Sequence, residues 1–320
     1  ALVGGSKNDT VSSLYFANNG TGTTVQAGDS FTGGAGTDTL TISVAGASSA
    51  AQTLSAVQTS GVEKVLVSNF DTNTTDSEDH TIDATLMSSI ATVGLSSSSA
   101  TGDTEFSSLQ NLVDAEMRSG NGDLTVTYVS TVIAGTTDTQ NLTVSGLTGG
   151  AFTAAGVETV NITSETIKST LATLTTAAAT SLTITGDKQL TITANLATNT
   201  ALKTIDATGA TGGVVLLDNS STVSFTGGAG DDTYKTSTAV AATYAVDGGA
   251  GTDILSVTAA DVLDTALETA RYTNFETLQI NNASADTATS SQDLGLLSAG
   301  ITKVVIDSQD TTDTSIADSI

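Results

Sequence analysis

Hydrophobic and polar positions alternate in short runs along most of the chain. Leu40-Thr41-Ile42-Ser43, Leu124-Thr125-Val126-Thr127, Leu142-Thr143-Val144-Ser145, Leu182-Thr183-Ile184-Thr185 and Leu190-Thr191-Ile192-Thr193 are near copies of one another. Apolar residues alternating with polar, often β-branched ones at period two predict strands with one buried face. The runs are short, and Gly, Asn, Asp and Ser punctuate them. The step from Leu124 to Leu142 is eighteen residues, about the length expected of one solenoid coil. Helical periodicity is scarce. Asp261 to Arg271 places Val262, Leu263, Ala266, Leu267 and Ala270 on one helical face. Ser107 to Arg118, with Leu109, Leu112, Val113 and Met117, fits a second short helix, and Thr166 to Thr180 is a third, Thr-rich candidate. All three read as caps or side excursions on a stack of strands.

Longer segments repeat as well. Gly33-Gly34-Ala35-Gly36-Thr37-Asp38-Thr39-Leu40 matches Gly248-Gly249-Ala250-Gly251-Thr252-Asp253-Ile254-Leu255. Each is followed by a second shared element, Gly61-Val62-Glu63-Lys64-Val65-Leu66-Val67 in one case and Asn274-Phe275-Glu276-Thr277-Leu278-Gln279-Ile280 in the other. Gly156-Val157-Glu158-Thr159-Val160-Asn161-Ile162 is a third example. Self-similarity of this kind is the signature of a repeat architecture.

The pattern Gly-Gly-x-Gly-x-Asp-x-(apolar) carries the chemistry. It is intact at Gly33, Gly34, Gly36 and Asp38; at Gly227, Gly228, Gly230 and Asp232; and at Gly248, Gly249, Gly251 and Asp253. A degenerate copy with Gly4, Gly5 and Asp9 opens the chain, and a half copy places Asp29 nine residues before Asp38. This is the calcium-binding nonapeptide of parallel β-rolls. Glycines at the first, second and fourth positions allow φ > 0 in a tight turn. Main-chain carbonyls then point inward, and the aspartate adds a carboxylate. Two such turns stacked one coil apart are expected to form an all-oxygen cage suited to Ca²⁺. The spacings from Asp9 to Asp29 and from Asp232 to Asp253, twenty and twenty-one residues, predict two calcium knots, with several ions in all. The residue at position eight should point into the core.

Composition sharpens this reading. There are 34 acidic and 9 basic residues, for a net charge of −25, with no Pro, Cys or Trp. Thr is about one residue in five. Without cysteine there is no disulfide framework and no thiol chemistry. The charge argues against nucleic acid and for multivalent cations. No apolar run approaches the ~20 residues of a membrane span. Enzyme readings find little support. His80 is the one imidazole and reads as a surface residue of an acidic loop, Arg118 and Arg271 are the only arginines, and no Gly-x-Ser-x-Gly elbow is present. The chain is therefore expected not to be an enzyme. Acidic turns at Asp71, Asp76, Glu78 and Asp79, at Asp123, Asp187 and Asp218, and at Asp307, Asp310 and Asp313 read either as further calcium ligands or as solvated loops. Glu63, Glu158 and Glu276 recur in register and read first as structural, with calcium second.

These residues together resemble a family. The nonapeptides from Asn8-Asp9-Thr10-Val11 to Asp38, the Val-Glu rungs at Gly61-Val62-Glu63 and Gly156-Val157-Glu158, and their return from Phe225 to Asp232 and at Phe275-Glu276 are similar to the RTX-type surface-layer proteins of Gram-negative bacteria, the Caulobacter-type coat proteins. The resemblance covers most of the chain. It implies type I secretion, folding outside the cell on calcium, self-assembly into a two-dimensional lattice and anchoring to lipopolysaccharide through a domain not visible here. The carry-over to residues is limited to Asp9, Asp29, Asp38, Asp232 and Asp253 with their glycine turns.

The expected fold is all-β, an elongated right-handed parallel β-helix or β-roll solenoid with RTX calcium-binding turns and a few short helices. Residues 1–45 are read as the first calcium knot with its first rungs. Residues 46–222 are read as solenoid rungs, 223–258 as a second knot, and 259–320 as further rungs of a solenoid that continues beyond this fragment. The expected function is a calcium-dependent surface layer at the cell surface, with the chain itself as lattice partner. The alternatives are an RTX adhesin or surface-filament module and the non-catalytic roll of a secreted enzyme.

Overall fold

The computed structural model describes residues 1–16, 23–46, 52–72, 80–257, 266–281 and 300–307. The chain winds into a parallel β-solenoid. Its spine is a 12-stranded parallel sheet whose strands follow sequence order, from Thr10–Phe16, Thr39–Gly46 and Lys64–Asp71 to Val246–Asp247 and Tyr272–Thr273. The coils are closed by three smaller sheets. A three-stranded one begins at Leu2–Val3, a six-stranded one runs from Gln52–Leu54 to Thr173–Thr175, and a seven-stranded one from Ser169–Leu171 to Lys303–Asp307.

The alternation in the sequence explains why these strands form. In Thr39–Gly46, Leu40, Ile42 and Val44 are buried while Thr41 and Ser43 are half-exposed. Register then stacks like on like. Leu40 sits beside Val65, which sits beside Val93, so each inward row is a column of aliphatic side chains. Burying one such side chain contributes about 1.5–3 kcal/mol. Coil-to-coil hydrogen bonds run along the axis, so each coil depends mainly on its neighbours. The position-eight residues Leu40, Tyr234 and Leu255 all lie in the core.

Three expectations are corrected. Ser107 to Arg118 is not a helix but the end of strand Thr104–Leu109, a corner, and strand Asp114–Gly120. Thr166 to Thr180 holds the short strands Ser169–Leu171 and Thr173–Thr175. The eighteen-residue step is not a coil either: Leu142 pairs with Ile162, whereas Leu124 lies in another sheet and pairs with Phe152. Thr10 pairs with Thr39 and Thr139 with Thr159, so coils span 29 residues in one case and 20 in the other. Of the segment from Asp261 to Arg271, residues 261–265 lie outside the described residues, and Ala266–Thr269 is a single helical turn.

Candidate metal centre

The glycine-aspartate turns form corners of the solenoid, and they stack in two pairs. In the first, the turn ending at Asp9 lies on the turn ending at Asp38. Asp9 N donates to Asp38 Oδ1 at 2.7 Å, Thr37 N donates to Asn8 Oδ1 at 2.9 Å, and Ala35 N donates to Gly5 O at 3.1 Å. In the second, the turn ending at Asp232 lies on the turn ending at Asp253, with the same three bonds. Asp232 N donates to Asp253 Oδ1 at 2.7 Å, Thr252 N to Asp231 Oδ1 at 2.9 Å, and Ala250 N to Gly228 O at 2.8 Å. The pairs sit on opposite flanks of the 12-stranded sheet. The first leads into it at Thr39–Gly46, and the second leads out of it to strands Thr233–Thr236 and Ile254–Val257 of the seven-stranded sheet.

This geometry corrects the expected partner of Asp9. Asp29 does not stack on it; the coil-to-coil neighbour is Asp38. Asp29 instead closes its own turn, its Oδ2 accepting from Gln26 N at 2.8 Å.

Each pair rests on a third coil that supplies a glutamate. Asp38 N donates to Glu63 Oε2 at 2.8 Å, and Asp253 N donates to Glu276 Oε2 at 2.7 Å. In mid-chain, Asp138 N donates to Glu158 Oε2 at 2.9 Å. A run of carboxylates therefore climbs each corner, with Asp38, Glu63, Asp232, Asp253, Glu276 and Glu158 each accepting an amide of the coil before. Charge-assisted bonds of this kind contribute about 1.5–3 kcal/mol each. The recurring glutamates thus have a stated job in coil stacking.

The first glycine of each turn is needed for space rather than for φ. A Cβ on Gly33 would collide with Gly61 O and sit 2.5 Å from Asp38 Oδ2. Positive φ is confined to the second turn of each pair, at Gly34 (111°) and Gly36 (129°) and at Gly249 (93°) and Gly251 (146°). This difference has an electrostatic consequence. In the first turns the second glycine's amide reaches back to the aspartate. Gly5 N donates to Asp9 Oδ2 at 2.6 Å, and Gly228 N to Asp232 Oδ2 at 2.8 Å. In the second turns it does not, and Asp38 Oδ2 and Asp253 Oδ2 are buried with no hydrogen-bond partner.

A buried carboxylate oxygen with nothing to bond is costly. Burial pushes the Asp253 carboxyl up to about 6, and the nearby charges of Asp232, Glu276 and Asp231 add to the rise. Burial also raises Asp232, against the lowering pull of the Gly228 and Val214 amides. A divalent cation is a chemical fit for these two oxygens. Each belongs to a carboxylate shielded from water, and each oxygen and a backbone carbonyl of the next coil, that of Gly61 or of Asn274, both border the space a Cβ on Gly33 or Gly248 would fill. Among the described residues no three Asp, Glu or His side chains converge on one point. A cation would therefore draw most of its six to eight oxygens from main-chain carbonyls and water. Asp9 Oδ2 and Asp232 Oδ2 each accept one backbone amide, at 2.6 and 2.8 Å, whereas the matching oxygens of Asp38 and Asp253 accept none.

No known family model matches the chain, and no curated protein matches it.

The other acidic turns divide by environment. Asp76, Glu78, Asp79, Asp310 and Asp313 lie outside the described residues. Asp187 is exposed and held below its ordinary value by Lys188, with Lys188 Nζ 2.6 Å from Asp187 Oδ2. Asp123 accepts from Ala151 N at 2.7 Å, and burial raises its carboxyl. His80 is not a surface residue. It is buried, and its Nε2 lies 2.7 Å from Asp71 Oδ2 in a buried pair. The strand His80–Asp83 is read in period two, so His80 shares the inward parity of Ile82. Asp218 was likewise not foreseen as a core residue. It is fully buried, bonded by Tyr234 Oη at 3.0 Å and Ser220 N at 3.0 Å, and burial pushes it up to about 6. Its parity with Val214 and Leu216 was the available signal.

Proposed function

We propose that the chain is a structural solenoid of a bacterial surface layer, acting outside the cell, without catalytic activity, and assembling with copies of itself once it has taken up calcium. The observation that carries this reading is the pair of buried, partnerless carboxylate oxygens, Asp38 Oδ2 and Asp253 Oδ2, in a chain of net charge −25. Asp38 and Asp253, with Glu63 and Glu276 beside them, would hold the ions, and the carbonyls of Gly61 and Asn274 border the same glycine positions, Gly33 and Gly248. Calcium bound there supplies two positive charges where the fold has buried uncompensated negative ones. The chain's own residues do the rest. Asp38 and Asp253 tie one coil to the next through Oδ1, Asp9 and Asp232 close their own turns through Oδ2, and the aliphatic columns align the stack.

Binding to the folded state alone adds stability as RT ln(1 + [L]/Kd), about 2.7 kcal/mol per site at 100-fold excess over Kd. Low calcium inside a cell would leave the acidic chain less stable, and high calcium outside would stabilise it. The continuous parallel stack, with its 12-stranded sheet in sequence order, supports the structural reading.

Electron microscopy of the purified chain tests this reading. With calcium it should form ordered two-dimensional sheets, and with chelator it should not. Monomers that stay dispersed in calcium and bind a glycan instead would overturn it in favour of an adhesin module.

A further inference from the structure

The four turns share a sequence pattern but not a conformation, and the difference repeats in both pairs. The first turn of each pair is closed upon itself, with Gly5 N on Asp9 Oδ2 and Gly228 N on Asp232 Oδ2. The second turn is open. Gly34 and Gly249 take φ of 111° and 93°, and neither donates to its aspartate; Gly249 N donates to Asp247 Oδ1 instead. Asp38 and Asp253 are 2 % and 0 % exposed, yet each keeps one carboxylate oxygen without a partner. The other oxygen of each is fixed by the amide of the coil before, so the carboxylate is held in one orientation.

We propose that each turn pair takes a single divalent cation, and takes it on the second turn, at Asp38 Oδ2 and at Asp253 Oδ2, while Asp9 and Asp232 serve as hydrogen-bond clamps and never as ligands. This inference rests on the calcium reading above and goes further by assigning unlike roles to aspartates that the sequence pattern makes equivalent. Three observations support it. In the closed turns the carboxylate oxygen on the glycine side, Asp9 Oδ2 or Asp232 Oδ2, already accepts an amide. The open turns adopt a glycine conformation that an L-residue rarely adopts, and in doing so leave an anionic oxygen unsatisfied, a state that is stable only with a compensating partner. Finally, the closed turns carry Asn8 or Asp231 before the aspartate, each bracing an amide of the open turn, Thr37 N or Thr252 N, whereas the open turns carry Thr37 and Thr252 there.

The test uses the full chain, stripped with chelator and titrated with Ca²⁺ alone in a calorimeter. The unaltered protein should bind two ions tightly. Asp38→Asn and Asp253→Asn should each lose one, and the double variant both. Asp9→Asn and Asp232→Asn should keep both ions with affinity changed less than about threefold, while the calcium-loaded protein melts at a lower temperature as a clamp is weakened. Equal loss of binding in Asp9→Asn and Asp38→Asn would overturn the division of roles while leaving the calcium reading intact. No binding by the unaltered protein would overturn both. Because a variant can fail to fold, the unaltered protein crystallised with a lanthanide in place of calcium gives an independent readout. Anomalous peaks beside Asp38 and Asp253 support the inference, and peaks beside Asp9 or Asp232 overturn it.

Discussion

Replacing Asp218 by Asn removes a charge from the solenoid core, and its effect on stability should change sign with pH. Asp218 Oδ1 accepts from Ser220 N and Oδ2 from Tyr234 Oη, both at 3.0 Å, and burial is the largest cause of its rise from 3.8 to about 6. A rise of that size corresponds to about 3 kcal/mol. A carboxyl that holds its proton more tightly in the folded state contributes most below its unfolded value. That contribution is lost as pH climbs from 3.8 through about 6, because the folded protein binds the extra proton in that window. At pH 7.5 the ionised Asp218 is therefore a burden, and Asn, which keeps an acceptor for Ser220 N, should relieve it. The amide leaves the hydroxyl hydrogen of Tyr234 without an acceptor, which costs about 1–2 kcal/mol. The expected net result is a gain of about 1–2 kcal/mol at pH 7.5 and a loss of about 1–2 kcal/mol at pH 4. Urea titrations followed by circular dichroism, at one fixed saturating calcium concentration, would compare the two proteins at both pH values. Other carboxylates, Asp253 included, cancel in the comparison. An Asn variant shifted equally at both pH values would refute the reasoning, since it would mean that Asp218 does not titrate out of its ordinary range.

Two further substitutions probe the stacking. Gly33→Ala should cost several kcal/mol, because its methyl meets the Gly61 carbonyl, whereas Gly28→Ala, with φ of 90° but open space around it, should cost only about 1 kcal/mol; thermal melts of the two variants check the contrast. His80→Ala removes a buried imidazole and its 2.7 Å contact with Asp71 Oδ2 and should cost about 1–3 kcal/mol by urea unfolding, more than Lys188→Ala at the exposed pair with Asp187.

Much of the fold was legible because a strand writes its buried face at period two. Leu40, Ile42 and Val44 announce theirs, and so do Val160 and Ile162. Corners are where the reading broke. Leu109 ends one strand, Val113 fills the corner and Met117 lies in the next strand, so inward residues four apart imitate a helical face. The exposed Leu112 among them breaks that face. Coil length was obscured because excursions between strands vary from coil to coil, so spacing alone put Asp29, not Asp38, beside Asp9. The glycine-aspartate turns were visible as motifs. Their two conformations differ where the sequence also differs: both open turns read Gly-Gly-Ala-Gly-Thr-Asp, whereas the closed turns carry Asn8 or Asp231 before the aspartate, each accepting from Thr37 N or Thr252 N of the open turn. Asp218 and His80 show the opposite failure. Their inward parity was written in the strands beside them, but a charged or titratable residue next to a turn is usually solvated.

The most direct measurement is far-UV circular dichroism during a calcium titration of chelator-stripped protein. The account predicts a cooperative gain of β signal as calcium is added, with the acidic corners closing as Asp38 and Asp253 find partners. A β spectrum already complete in chelator and unchanged by calcium would contradict it, and would mean that the carboxylate-amide ladder and the aliphatic columns hold the stack together by themselves.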